Sequence, residues 1–249
     1  MAGSPSMLGA ACLVSLAAMR SGAGLVTAAV PRGLNLTLQQ KIAHVVMTMP
    51  VAQTRGKCFA PRAAEEVLRR IGKFNAVAIG PGLSLDPSTA RFVRRMVEAC
   101  PVPMVVDADA LNAIAGCTDI LLKAKGPRVL TPHPGEMARL AGMTPAAVEA
   151  DRKGIAVRFA RRYGCILVLK GHRSVVASPS RKPYINTTGN AGMATAGAGD
   201  VLTGMIAAFL AQGLSPFDAA RWGAHFHGRA GDRAAKEHAK AGMIALDLI

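Results

Sequence analysis

The chain has 249 residues, 51% of them apolar and only 18% charged, with 30 Lys+Arg against 15 Asp+Glu and a net charge of +15. That length and apolar content allow a sizeable buried core and exclude a disordered or fibrous protein. The basic balance suits anionic ligands such as nucleotides. The basic residues, however, fall in short groups ("LRRIGK", "RFVRR", "RFARRYG") with no nucleic-acid-binding signature, so no nucleic-acid partner is expected.

The first element is "MLGAACLVSLAAM" (7–19), which has no basic residues ahead of it and is followed by Arg20. It reads as a buried helix rather than a secretion signal. No run reaches the ~18 apolar residues of a membrane span, so no membrane partner is expected. Short β-branched runs then recur at 24–30, 44–49, 76–80, 103–110, 128–132 and 165–171, separated by helix candidates at 61–71, 87–99 and 145–163. In "DPSTARFVRRMVEA" an Asp or Ser precedes Phe92, Val93, Met96 and Val97, which share a helical period. Strands alternating with helices predict βαβ units and a mostly parallel sheet covered on both faces. "SVVASP" (174–179) and "PYINTT" (183–188) predict an antiparallel edge pair, and helices follow to the end of the chain. No linker or repeat divides the sequence, which implies one α/β domain over 1–249. The five scattered cysteines (Cys12, Cys58, Cys100, Cys117 and Cys165) form no C-x-x-C pair and read as reduced thiols of a cytoplasmic protein.

In such sheets, ligands bind beyond the carboxyl ends of the strands, and the unusual motifs sit there. "VVDADALN" carries Asp107, Asp109 and Asn112, whose paired carboxylates suit a metal, a substrate or plain loop organisation. "TPHPGEMARL" puts His133 and Glu136 around a Pro-Gly turn. His133 could contact a substrate, and Glu136 either orients water on magnesium or serves as an acid in a helix first turn. "LKGHRS" offers Lys170 to a nucleotide phosphate, or else is a turn with an exposed lysine, and no Walker A loop exists in the chain. In "GNAGMATAGAGD", Gly197, Ala198 and Gly199 present bare backbone N–H groups to an anion ahead of an apolar helix. Asp200 closes that run either as an ordinary N-cap or as a general base beside a transferring phosphoryl group. His225 and His227, two apart on one helix, do not share a face. A packing or surface role is expected for them rather than metal binding.

Together, "GPGLS", "VVDADALN", "LTPHPGEMARL", "LVLKG", "GNAGMATAGAGDVLTGMIAAFLAQG", "HGRAGDRAA" and "GMIALDLI" resemble, in this order, the NAD(P)H-hydrate dehydratase family. The resemblance spans nearly the whole chain and implies a ribokinase-like three-layer sandwich. It also implies repair of hydrated NADH and NADPH, driven by ADP or ATP with Mg2+. Asp200 would be the base, and Ala2, Gly82, His133 and Asp200 would line the hydrated-cofactor site. Lys170, Gly171, His172, Arg173 and Ser174, with Gly199, would hold the nucleotide. A homo-oligomer such as a tetramer, and pairing with an epimerase, are implied as well. Two features depart from the family pattern. Ala198 stands where threonine is usual, and the chain starts inside the family's first Gly-rich turn, so its first strand is expected to be missing. A ribokinase-like kinase of thiazole or pyrimidine alcohols and a non-catalytic basic binding protein are the alternatives.

Overall fold

The computed structural model describes residues 1–249. In chain order its elements are α1 (Leu8–Arg20), β1 (Thr27–Pro31), α2 (Asn35–Lys41), β2 (Met47–Val51), α3 (Ala63–Leu68), β3 (Val77–Ile79), α4 (Pro87–Ala99) and β4 (Met104–Val106). Then follow α5 (Asp109–Ile114), β5 (Arg128–Leu130), α6 (Pro134–Ala141), α7 (Pro145–Ala150), α8 (Arg152–Tyr163) and β6 (Ile166–Leu169). The last are β7 (Val175–Ala177), β8 (Tyr184–Ile185), α9 (Ala198–Ala211) and α10 (Pro216–Gly242). Every strand expected from the sequence is present.

Local chemistry sets the helix ends. Asp86 caps α4 by accepting from Ser88 N at 2.7 Å, and Pro87 supplies a ready-made first turn. Phe92, Val93, Met96 and Val97 form its buried stripe, as the sequence period predicts. The continuous helix expected over 145–163 is instead two. Asp151 leaves the helical conformation (φ −142°, ψ 56°), and its carboxylate accepts from Gly154 N at 2.9 Å, starting α8 afresh. A capping side chain has outcompeted continued helix there.

β3 to β8 form a six-stranded sheet in sequence order, parallel through β6 and antiparallel at β6–β7 and β7–β8. The predicted edge pair is therefore in place. β1 and β2 form a separate parallel pair, whereas the sequence suggested one sheet. Met1 lies alongside β3, its amine donating to Ala78 O at 2.7 Å and its carbonyl accepting from Gly80 N at 3.2 Å. Between the two sheets is a small apolar cavity lined by Met1, Val26, Ala28, Phe74 and Ala78.

The period-2 alternation of the strands builds the layers. Val105, Val129, Val168 and Val176 face Leu202, Ile206 and Leu210 of α9 and Phe217, Ala220 and Ala224 of α10. Met104, Val106, Leu130, Leu167 and Leu169 point the other way, onto α4, α5, α6 and α8. Helices thus cover both faces in a three-layer α/β sandwich. Small residues permit close approach: a β-carbon on Gly204 of α9 would collide with the Val14 carbonyl of α1. No helix is long and apolar enough to cross a membrane. The five cysteines are free thiols, and burial pushes Cys165 up to about 12.

Arg128, at the start of β5, is a buried cation that the sequence did not single out. Its guanidinium donates to Val97 O (2.9 Å), Pro127 O (3.0 Å), Val102 O (3.3 Å) and Cys100 O. It fastens the end of α4 to the sheet. Arg128→Met keeps the volume but strips four carbonyls of their donor, so a loss of about 3 kcal/mol is expected. Thermal denaturation should show the melting temperature lowered by roughly 6–12 °C.

Candidate active site

Three strand ends converge in a line. Asp107 N donates to Ile79 O (3.1 Å), Thr131 N to Val106 O (3.1 Å), and Lys170 N to Pro132 O (2.8 Å). The backbone thereby places Asp107, Pro132–His133 and Lys170 side by side at the carboxyl ends of β4, β5 and β6. Lys170 Nζ stands 2.8 Å from Asp107 Oδ1 and 3.7 Å from Glu136 Oε2. Burial works against this ammonium, yet Asp107 and Glu136 outweigh it and hold its pKa above the ordinary lysine value. The other Asp107 oxygen accepts from Thr203 Oγ1 of α9 at 2.8 Å, so one buried carboxylate ties β4, β6 and α9 together.

For Asp107 and Asp109 the geometry favours the loop-organising alternative. Asp107 serves Lys170 and Thr203, whereas Asp109 accepts from Ser84 N at 2.9 Å and organises the loop after β3. Asn112 accepts from Arg139 Nε at 2.9 Å. Glu136 lies in the first turn of α6, where a helix acid is favoured. Its Oε2 accepts from His133 N at 2.8 Å, and its Oε1 lies 3.4 Å from His133 Nε2. His133 caps α6 in return, its Nδ1 accepting from Gly135 N (3.0 Å) and Glu136 N (3.3 Å). Desolvation lowers the His133 pKa against the opposing pull of Glu136, and the capping bonds require an unprotonated Nδ1.

At the start of α9, Gly197 adopts φ +87° and occupies the N-cap position. A left-handed turn here favours glycine. Ala198 N donates to Thr195 O at 3.3 Å, while the amides of Gly197, Gly199 and Asp200 donate to no group of the chain. Of the three amides expected to face an anion, those of Gly197 and Gly199 are unpaired and are joined by that of Asp200, whereas that of Ala198 is engaged. Asp200 itself is not a cap: it sits in the first turn, and its carboxylate accepts no hydrogen bond from the chain. Burial, reinforced by the charge of Asp107 and opposed by Lys170, raises its pKa to about 7. A β-carbon at Gly199 would stand 3.3 Å from Lys170 Nζ and 3.8 Å from Asp107 Oδ2. The helix start, the lysine and the strand-end carboxylate thus form one compact site.

Beside it opens a cavity of ≈ 710 Å³, walled by His133, the Lys170–Ser174 turn, the 188–195 loop and the start of α9. Arg152 shapes the turn by donating to Leu169 O (3.2 Å) and Lys170 O (3.1 Å), a role with no sequence signal. The opposite wall is strapped to α10 by Asp232, which accepts from Gly189 N (2.9 Å) and Asn190 Nδ2 (3.2 Å). Ala2 and Gly82 are not in this wall. They lie in adjoining loops past β3, where Gly3 N donates to Pro81 O at 2.9 Å, and the Ala2 side chain packs in the small core of α1, α2 and β1. His225 packs against Trp222 and Phe226, as expected. His227 is among the residues that line the cavity.

No group of three or more His, Cys, Asp or Glu side chains converges to hold a metal.

Comparison with known proteins agrees with this architecture. The profile of the NAD(P)H-hydrate dehydratases matches residues 1–249. The chain is 50% identical over 247 residues to the bifunctional NAD(P)H-hydrate repair enzyme Nnr of Moorella thermoacetica, covering 99% of this chain and 46% of that protein. It thus spans about half the length of such bifunctional relatives. It is 39% identical to the ADP-dependent (S)-NAD(P)H-hydrate dehydratase of Neisseria meningitidis, covering 98% of this chain and 79% of that one. Among solved structures, the ADP/ATP-dependent NAD(P)H-hydrate dehydratase of Bacillus subtilis, co-crystallized with ATP/Mg2+, superposes with a TM-score of 0.80 at 29% identity, covering 100% and 84% of the two chains. A ribokinase-like superfamily protein from Enterococcus faecalis superposes with a TM-score of 0.81 at 27% identity, covering 99% and 81%. The bare helix start, the buried Lys170–Asp107 pair and the uncapped Asp200 are thus set in a chain that belongs to the NAD(P)H-hydrate dehydratase family.

Proposed function

We propose that this chain uses ADP or ATP to dehydrate the S form of hydrated NADH or NADPH. Besides the restored cofactor, the products are phosphate with AMP from ADP, or phosphate with ADP from ATP. The observation that carries the reading is Asp200: a carboxylate that accepts no hydrogen bond from the chain, beside unpaired amides, with its pKa raised to about 7. Such a group can take a proton near neutral pH.

The nucleotide lies in the cavity, held by the Lys170, Gly171, His172, Arg173 and Ser174 turn and by Gly199. Its terminal phosphoryl group rests on the Gly197, Gly199 and Asp200 amides. The hydrated cofactor lies on the other side of Asp200, toward Gly82, Ala2 and His133. Asp200 removes the ring hydroxyl proton as that oxygen attacks phosphorus, and the bond to the departing nucleotide breaks. The ring nitrogen lone pair then expels phosphate, and loss of a proton from the neighbouring carbon restores the dihydropyridine. Phosphate is a far better leaving group than hydroxide, which explains a kinase-like site in a dehydratase. Magnesium would be held by the nucleotide's own phosphates and would neutralise their charge. An epimerase acting on the hydrate would supply the S form, a pairing consistent with the bifunctional relatives. Residues 1–249 act as one catalytic unit.

Incubation with hydrated NADH and ADP or ATP tests the reading. Recovery of the reduced-nicotinamide absorbance with stoichiometric phosphate is expected. A stable phosphoester of a vitamin-precursor alcohol without that recovery would instead identify a small-molecule kinase.

A further inference from the structure

The turn that leaves β3, Gly80 to Ser84, has left-handed backbone at Gly80 (φ +134°), Gly82 (φ +64°) and Ser84 (φ +73°). Glycine takes such angles freely, and packing also requires it here. A β-carbon on Gly80 would collide with the Asp107 carbonyl, and one on Gly82 with the Met7 carbonyl. Ser84 has no such freedom. A serine stays at a positive φ only where its surroundings hold it there.

The holding group is Asp109. Its Oδ2 accepts from Ser84 N at 2.9 Å, and no other side chain bonds the backbone of this turn. Asp109 reaches across from the neighbouring strand end, where Ala108, at φ +49° and ψ −121°, separates β4 from α5. The Ser84 hydroxyl continues the network, donating to Cys58 Sγ at 3.4 Å and accepting from Asp86 N at 3.3 Å. Asp86 is the cap of α4, so the turn is tied to the end of β4 on one side and to α4 on the other. The Asp109 charge also reaches the base. Burial and the Asp107 charge raise the Asp200 pKa, and Asp109 adds to them.

We propose that Asp109 is a positioning residue for the hydrated cofactor, which through Ser84 N holds the Gly80–Ser84 turn, and so Gly82, in the shape that receives this ligand. The assignment rests on the hydrated-cofactor site proposed above, in which Gly82 is part of the wall. Without the carboxylate, Ser84 relaxes toward an ordinary negative φ and carries Gly82 with it. The cavity assigned to the nucleotide contains no residue of this turn, so the effect falls on one of the two ligands.

Steady-state turnover of hydrated NADH with ADP tests this at pH 8, where Asp200, with its pKa of about 7, is ionised. Asp109→Ala should raise KM for hydrated NADH about tenfold while KM for ADP stays within about threefold of wild type. Asp109→Asn, which keeps an acceptor for Ser84 N but no charge, should stay within about threefold of wild type for both ligands. If Asp109→Ala keeps the wild-type KM for hydrated NADH, or raises both constants alike, this inference is overturned and the proposed function stands. The same holds if Asp109→Asn is as impaired as Asp109→Ala, since the charge and not the bond would then matter. If wild type restores no reduced cofactor, the proposed function falls and this inference with it. Should Asp109→Ala fail to fold, Asp109→Glu, which keeps the charge but displaces the acceptor by one methylene, decides by the same split between the two KM values.

Discussion

Asp200→Asn should lower kcat by three orders of magnitude or more while ADP affinity changes less than threefold. The amide keeps the shape and the first-turn position but cannot accept the hydroxyl proton, and general-base catalysis contributes ~10²–10⁴. Nucleotide affinity should survive because, in the proposed site, it comes from backbone amides, the Lys170 turn and the cavity walls. Two pH measurements sharpen this result. The pKa of about 7 predicts that wild-type activity climbs as pH rises through 7, because the base works only when ionised. Stability should run the other way. The Asp200 carboxyl holds its proton longer in the folded chain than in the unfolded one, where its pKa is near 3.8. The fold therefore loses stability as pH rises from about 3.8 to 7, and Asn removes that cost. At pH 8 the variant should be more stable than wild type by about 1–3 kcal/mol, with no advantage below the unfolded pKa. An Asn variant that is inactive and also less stable at pH 8 would mark Asp200 as a structural residue.

Asp107→Asn should have the second-largest effect, lowering kcat about 10–100-fold and moving the acid limb of the pH profile well below 7. The Asn oxygen still accepts from Lys170, and its amide faces Thr203, so the tie between strands and helix persists. What disappears is the negative charge that helps to keep Asp200 protonated. The Lys170 charge, no longer balanced by that carboxylate, then acts more strongly on Asp200 and makes it a weaker base. A purely structural Asp107 would change the melting temperature and leave the pH profile where it was. The shift of the acid limb is therefore the discriminating readout.

Much of the fold was legible because its signals are local. The α4 stripe, the Asp86 cap and the apolar strand runs each follow from residues within one element. The convergence of strand-end motifs on one crevice was legible too, since it needs only the rule for parallel sheets. Three kinds of feature were not. The Lys170–Asp107 pair joins residues 63 apart, and no spacing rule reveals that a lysine taken for a phosphate ligand is already held by a buried carboxylate. Arg128 and Arg152 act on backbone carbonyls of other segments, so their partners have no sequence signature. His227 was set aside because it does not share a helix face with His225. That argument bears on a shared metal and says nothing of a residue that lines a cavity on its own. Asp200 is the reverse case. Its position at a helix start favoured a cap, and only the backbone showed Gly197 occupying that place.

The central claim is that Asp200 directs phosphorylation of the hydroxyl before it leaves. It is tested most directly by placing 18O in the ring hydroxyl of hydrated NADH and following the label during turnover with ADP. Phosphorylation first predicts the label in the released phosphate, one atom for each cofactor restored. Label recovered in water, with ADP consumed and the dihydropyridine restored, would contradict it.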